Sequence, residues 1–470
     1  MSVQTASEQP RLQSVGARIG ADIGGTFTDL AVVDPAGRLH IGKRVTTHGS
    51  EGDGVLAAVA DTDADITTPG AVLAHGTTLV INALLERKGS RVVLVVTKGF
   101  ADVIEGGRSS RPDIFDIRFR RDPVIVAPEL RFEIDERVYA SGEVAREPAQ
   151  ADLERVLEEL TQAGVEAVAV ALLNAYVQPH HEELIASFLR ERLPALTVTA
   201  SSEISRQWRE AERFTTAAAN AYVAPVADRY IERLLGGLQA DGFAGKFVVL
   251  DSNGGALALD AARRFPVKAV ESGPVAGVIG ARELAERLAI DNMVTFDMGG
   301  TTAKSCLIER GHYASTELYW INGYERGFAL QVRCVDVTEV GAGGGSIAWA
   351  DESGRLLVGP RSAGSQPGPA CYGNGGTEPT VTDANCSVAG WTVRTSSARC
   401  SSMPRPGRRR SNGSRRQRAS SRAGWRWGSL KSSRTSRWPR PCGARRSSVA
   451  ATRASSRWSP SAAPVRCMPA

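Results

Sequence analysis

The same glycine turn occurs twice in this chain, as ADIGGTFTD at 21–29 and as FDMGGTTAK at 296–304, 275 positions apart. Each copy follows a short apolar run and leads into a second extended stretch, a strand–turn–strand pattern. Paired glycines let the backbone turn tightly and bring its N–H groups against a phosphate, where a Cβ would intrude. The threonine hydroxyls beside them add donors, and the leading aspartate suits Mg²⁺ or its water shell. One such turn says little. Two, each opening a strand pair, predict two related domains facing each other across a nucleotide.

The chain changes character near residue 385. Its last acidic residue is Asp383, whereas 386–470 hold 19 arginines and one lysine. The net charge is +6, so 37 basic against 51 acidic residues leave the first 385 at −14. The basic excess therefore belongs to the tail. That tail has no Ile, Phe or Tyr and a single Leu, Leu430. It has almost nothing with which to build a core and is expected to be disordered.

Before the break there is apolar residue enough for two to three domains of ~150 residues. Strand and helix patterns alternate, which places the chain in the α/β class. Strands are expected in a hairpin at 17–33, then at 37–46, 71–75, 91–97, 165–173 and 246–250, with a second hairpin at 292–308. Helices are expected near 52–63, 78–87, 149–162, 180–193 and 209–238, the last interrupted near Pro225. A further helix starts at Ser272, and 106–136, rich in Arg, Asp and Pro, reads as mostly loop or irregular. The domains are expected at 1–205 and 206–385, with 386–470 as the tail. No apolar stretch reaches the ~20 residues of a membrane span, and residues 1–15 carry no secretory core. Cys306, Cys334 and Cys371 show no pairing pattern. A cytoplasmic protein is expected.

Other motifs have two readings each. Ser272-Gly-Pro, opening a glycine-rich helix, either presents N–H groups to an anion or uses Gly277 and Gly280 to pack closely on a sheet. Gly341-Ala-Gly-Gly-Gly-Ser346 is either a tight turn or backbone lying along a ribose or adenine. His75 reads as structural, although a strand end is where α/β folds bind ligands. Cys371 reads as a turn cysteine rather than a nucleophile, with nothing beside it to lower a thiol pKa. Arg108, Arg111, Arg118, Arg120 and Arg121 form a basic loop expected to pair with Asp113 and Asp116, although an arginine there also suits an anionic substrate.

Several stretches together resemble the ATP-dependent hydantoinase/5-oxoprolinase family, from about Ile19 to Asn385. They are IGADIGGTFTDLAVVD, HGTTLVINALLERKGSRVVLVVTKGFADVIEGGR (75–108), SNGG (252–255), ESGPVAGVIGA (271–281), TFDMGGTTAKSCLI (295–308), and VGAGGGSIAW followed by VGPRSAGSQPGPACYGNGGTEPTVTDAN. The same family includes N-methylhydantoinase subunits and acetone or acetophenone carboxylase subunits. The resemblance implies an actin/sugar-kinase/Hsp70-like ATPase fold, using ATP and Mg²⁺. Asp22, Gly24, Gly25, Thr26 and Thr28 would form the first phosphate loop, and Asp297, Gly299, Gly300, Thr301 and Thr302 the second. Asp22 and Asp297 would be the catalytic and metal-holding pair, while Gly341, Gly343, Gly344 and Gly345 approach the nucleoside. The implied reaction is ring opening of a cyclic amide (hydantoin, 5-oxoproline or another lactam) by phosphorylation of its carbonyl oxygen. A hydantoinase B-type partner subunit would complete a hetero-oligomer. The alternatives are a ketone carboxylase subunit, a kinase or ATP-driven activator on the same fold, and an inactive truncated product. Neither a nucleic acid nor a membrane is an expected partner.

The resemblance stops at Asn385, inside a recognisable motif. Read two bases out of register, the codons for 386–397 force an aspartate across Trp391-Thr392. GC-rich coding text read out of frame gives an Arg/Ser/Pro/Ala/Trp composition like that of the tail. A reading-frame shift near codon 386 is therefore expected, leaving the second domain short of its closing elements and the chain poorly soluble or inactive alone. The competing reading of the tail is an Arg/Trp arm for nucleic acid or a membrane. Sequencing the coding DNA across codons 375–400 decides between them: a missing or extra base is expected, and an unbroken frame refutes the shift.

Overall fold

The computed structural model describes residues 16–47, 51–108 and 115–389, and a short backbone pairing of 394–395 with 398–399. The remainder of the tail lies outside the described residues, as do Arg111 and Asp113 of the basic loop.

The first glycine turn joins β1 (Arg18–Ile23) to β2 (Phe27–Val33), and β3 (Leu39–Val45) completes an antiparallel meander. Residues alternate between buried and exposed along β2, as in a sheet with one covered face. The free edge of β1 is taken in parallel by β4 (Val72–Thr77), and β4 in turn by the strand Lys246–Leu250. The spatial order is Ala256–Ala258, Lys246–Leu250, β4, β1, β2, β3. Strands from both sides of residue 205 thus share one sheet.

A second sheet is wholly parallel, in the order Thr197–Ala200, Ala167–Ala171, Val92–Thr97, Arg131–Ile134. Its two central strands are apolar and buried throughout, because helices cover both faces. Arg131–Ile134 is the one sheet strand among the described residues of 106–136, a stretch expected to be mostly loop. The strand has only four residues, two of them charged, so its alternation is too short to stand out from the charged loop around it.

One helix, Glu210–Ala240, serves both sheets. Phe214, Ala217, Ala218 and Val223 enter the core against the parallel sheet, and Ile231, Leu234 and Leu238 the core against the first. The expected interruption at Pro225 is absent, and the helix runs through it. Proline in a helix interior costs about 3 kcal/mol, and burial of the flanking residues on both cores outweighs that.

The second glycine turn joins Met293–Met298 to Ala303–Glu309 in the register of the first: Met298 faces Ala303 as Ile23 faces Thr28. Unlike β1, Met293–Met298 has no strand on its other edge among the described residues. Val294 and Phe296 on it are 67% and 63% exposed.

A buried ion pair fixes the long helix to the parallel sheet. Arg213 and Glu182 are both fully buried and 3.3 Å apart. Arg213 also donates to the Leu172 carbonyl at 2.8 Å, and Glu182 accepts from the Ser201 hydroxyl at 2.6 Å and the Ser202 N–H at 2.8 Å. Arg213→Ala would strand a buried carboxylate and is expected to lower unfolding free energy in urea by about 3–5 kcal/mol. The double change Glu182→Leu with Arg213→Met should recover much of that. An unchanged urea midpoint in the single variant would refute the assignment.

Candidate nucleotide site

Both turns close in the same way. The Gly24 N–H donates to the Phe27 carbonyl and the Gly299 N–H to the Thr302 carbonyl, each at 2.9 Å. The turns also face one another: a Cβ built on Gly300 would lie 2.5 Å from Thr26 Oγ1. Thr28 is fully buried, with its hydroxyl 3.3 Å from that of Thr46, which donates to the Gly24 carbonyl at 2.8 Å. Thr28 therefore braces the first turn from behind.

Asp22 lies at the end of β1 against bare backbone. A Cβ on Gly76 of β4 would come within 2.9 Å of its Oδ1, and one on Gly273 within 2.7 Å. Gly273 belongs to the first turn of the helix Ser272–Arg287. The Ser272 hydroxyl pins that helix to β4, accepting the Thr77 N–H at 3.0 Å and donating to the Thr77 carbonyl at 3.1 Å. Gly277 and Gly280 meet open space, so close packing on a sheet is not their role.

Asp22 Oδ1 is buried with no hydrogen-bond partner among the described residues. Burial, then repulsion from Asp29 and Asp297, pushes its carboxyl up to about 6, with Lys43 partly opposing. A carboxylate placed so is poised for a cation or a proton. No group of three or more His, Cys, Asp or Glu arranged for a metal occurs among the described residues. Mg²⁺ fits such a site nonetheless, since it is commonly held by one or two carboxylates with water and phosphate oxygens.

The glycine run at 341–345 backs the second turn. Gly344 and Gly345 donate to the Gly299 and Gly300 carbonyls at 2.9 and 2.6 Å, and a Cβ on Gly343 would sit 2.6 Å from Gly300 backbone. Gly341 alone of the four expected nucleoside-facing glycines meets nothing within 4 Å. Behind this run, Thr382 donates its N–H and hydroxyl to the Gly344 carbonyl. Asp383, buried, gathers the N–H groups of Ala370, Cys371 and Thr380. Sequence reading missed this brace, although Thr380-x-x-Asp383 has the reciprocal side-chain-to-N–H pattern of a capping box.

Other candidates resolve plainly. His75 is buried; its Nδ1 donates to the Ala21 carbonyl at 3.2 Å and its Nε2 accepts from the Tyr230 hydroxyl at 2.8 Å. Burial pushes it down to about 4, so it is neutral and structural. Cys371 is buried and its thiol is pushed well up by burial and Asp383, as fits a turn cysteine. Arg108 pairs with Glu212 of the long helix, far from its neighbours in sequence. Lys304, opposite Asp297 in the second hairpin, donates to the buried Glu271 at 2.7 Å, an ion pair with no sequence signal.

Two family models match the chain: hydantoinase/oxoprolinase over residues 213–389, and the hydantoinase/oxoprolinase N-terminal region over 18–193. The chain belongs to the hydantoinase/oxoprolinase family. It is 34% identical over 383 residues to the caprolactamase subunit alpha of Pseudomonas jessenii, covering 79% of this chain and 54% of that one. The acetophenone carboxylase gamma subunit of Aromatoleum aromaticum is 34% identical over 388 residues, covering 78% and 52%. The crystal structure of the P. jessenii ATP-dependent caprolactamase superposes with a TM-score of 0.66 at 34% identity, over 79% of this chain and 55% of that one. A nucleotide-free acetone carboxylase also superposes at 0.66, with 25% identity, over 80% and 55%. The chain spans about half the length of these relatives, and both sequence relatives are by name subunits of larger enzymes. No helix among the described residues is long and apolar enough to cross a membrane.

The raised carboxyl of Asp22 has a thermodynamic sign. Between its ordinary value of 3.8 and about 6, the native state holds the proton more tightly than the unfolded chain. Stability of the ligand-free protein therefore falls as pH rises through that window, by on the order of 2–3 kcal/mol. Asp22→Asn removes this cost. Its thermal midpoint should exceed that of the wild type at pH 7.5 and match it near pH 4, whereas an equal loss at both pH values would refute the assignment.

Proposed function

We propose that this chain is the ATP-using subunit of an enzyme that opens a cyclic amide. The partnerless Asp22 carboxylate, set beside Asp297 between two matched glycine turns, carries the reading. The two hairpins take the facing positions of an actin/sugar-kinase/Hsp70-like ATPase. Residues 1–205 and 206–385 are its domains, the second lending Lys246–Leu250 to the first sheet.

An amide carbonyl is a poor electrophile because its nitrogen donates into it. When its oxygen attacks the γ-phosphorus of ATP, the bond to ADP breaks and that oxygen becomes a leaving group. Water then adds at carbon and the C–N bond opens, the nitrogen leaving as an amine and the carbon remaining as an acyl phosphate. A second water hydrolyses that acyl phosphate to a carboxylate and phosphate. Such transfer needs positioning and charge stabilisation rather than a covalent protein group. The N–H groups at Gly25 and Gly300, with the hydroxyls of Thr26, Thr301 and Thr302, orient the phosphates, while Gly24 and Gly299 close the turns that present them. Thr28 and the Gly343–Gly345 run hold the two turns in place, and Gly341 lies along the nucleoside. Mg²⁺ held by Asp22 and Asp297 would neutralise phosphate charge. A hydantoinase B-type subunit completes the hydrolysis in a cytoplasmic hetero-oligomer.

Similarity to the acetophenone carboxylase gamma subunit supports a second reading, phosphorylation of a ketone oxygen ahead of carboxylation. The test is ADP release with hydantoin, 5-oxoproline or caprolactam, against acetone with bicarbonate, in the presence of a partner subunit. ADP and ring-opened product in equal amounts with one cyclic amide are expected. Asp22→Asn and Asp297→Asn should each lower turnover by about 100-fold or more. ADP release with the ketone alone would favour the second reading, and full activity in both variants would overturn the site.

A further inference from the structure

The parallel sheet has an opening of its own. In space the first and third of its strands, Val92–Thr97 and Ala167–Ala171, are neighbours, with the second and fourth on opposite flanks. Their connections leave in opposite directions, and open α/β sheets leave a ligand crevice at the carboxyl ends of such a strand pair. A crevice of about 460 Å³ lies there. Phe100 and Val103 wall it beyond the first strand, Leu173 beyond the third, and Arg108, Arg209 and Glu212 complete it. None of these belongs to the glycine turns.

The lining selects the occupant. One side is apolar, from Phe100, Val103 and Leu173. The carboxylates are already engaged: Glu212 by Arg108, and Glu210 by the Asn174 N–H at 3.3 Å and by Arg213 at 3.5 Å. Arg209 makes no ion pair among the described residues, and its guanidinium rests on the Trp208 ring at 4.6 Å. Arg209 is the N-cap residue of the long helix and makes no side-chain cap, and the helix's first turn, Glu210 to Glu212, lines the crevice. Arg209 is also held at φ +85°, in the left-handed region that favours glycine, and backbone strain of this kind gathers at ligand sites.

We infer that this crevice binds a small carboxylate with an apolar body, at a site separate from the nucleotide turns, with Arg209 as its charge partner. The experiment is calorimetric titration of the full chain with pentanoate, with pentan-1-ol as the uncharged control. Pentanoate should bind and pentan-1-ol should not. Arg209→Gly removes the guanidinium while easing the positive φ, so it should weaken pentanoate by about tenfold or more without lowering the thermal midpoint. Arg209→Lys should keep part of the affinity, and Asp22→Asn should keep all of it. The assignment is overturned by any of four results: no pentanoate binding to the wild type, equal binding by Arg209→Gly, equal binding of pentan-1-ol, or loss of binding in Asp22→Asn. The last would place the anion at the nucleotide turns.

Discussion

One helix belonging to two hydrophobic cores holds this structure together. Each large side chain that Glu210–Ala240 buries contributes about 1.5–3 kcal/mol, and the contributions fall on both sheets. A shift of the helix would therefore disturb both cores at once. Its position is also read out at the site. Tyr230 on the helix donates to His75 of β4, His75 donates to the Ala21 carbonyl, and Ala21 precedes Asp22. The neutral histidine is needed for this relay, because it must donate at one nitrogen while accepting at the other.

Around Asp22 the fold accepts a local cost. The carboxylate is enclosed by β4, by the start of Ser272–Arg287 and by its own hairpin, yet one oxygen is left without a donor. A side chain at position 76 or 273 would fill the gap and displace it. Glycine at both positions keeps the oxygen buried and near Asp297, where like charges raise its affinity for a proton or a cation. Sites of this kind trade stability for binding, since the repulsion vanishes when a cation arrives.

Local patterns were legible in the sequence and long-range polar contacts were not. The duplicated turns, both hairpins and the buried parallel strands follow from glycine placement and runs of Val, Leu and Ala. The strand Arg131–Ile134 escaped because it is short and half charged. Pro225 misled because helix propensity is a local term and the burial that overrides it is not. The pairs Glu182–Arg213, Glu271–Lys304 and Arg108–Glu212 join residues 31, 33 and 104 positions apart, so no spacing rule reveals them. The Arg209 crevice depends on strand order, which one sequence does not display.

The two copies of the turn are equal in register but not in support. β1 is gripped on both edges, by β2 and by β4, so the first turn rests on a continuous ladder. Met293–Met298 is paired on one edge among the described residues, and the second turn is held instead by the Gly344 and Gly345 hydrogen bonds. An open strand edge carrying exposed Val294 and Phe296 is a template for another strand. Adding one in parallel would give Asp297 the support that β4 gives Asp22.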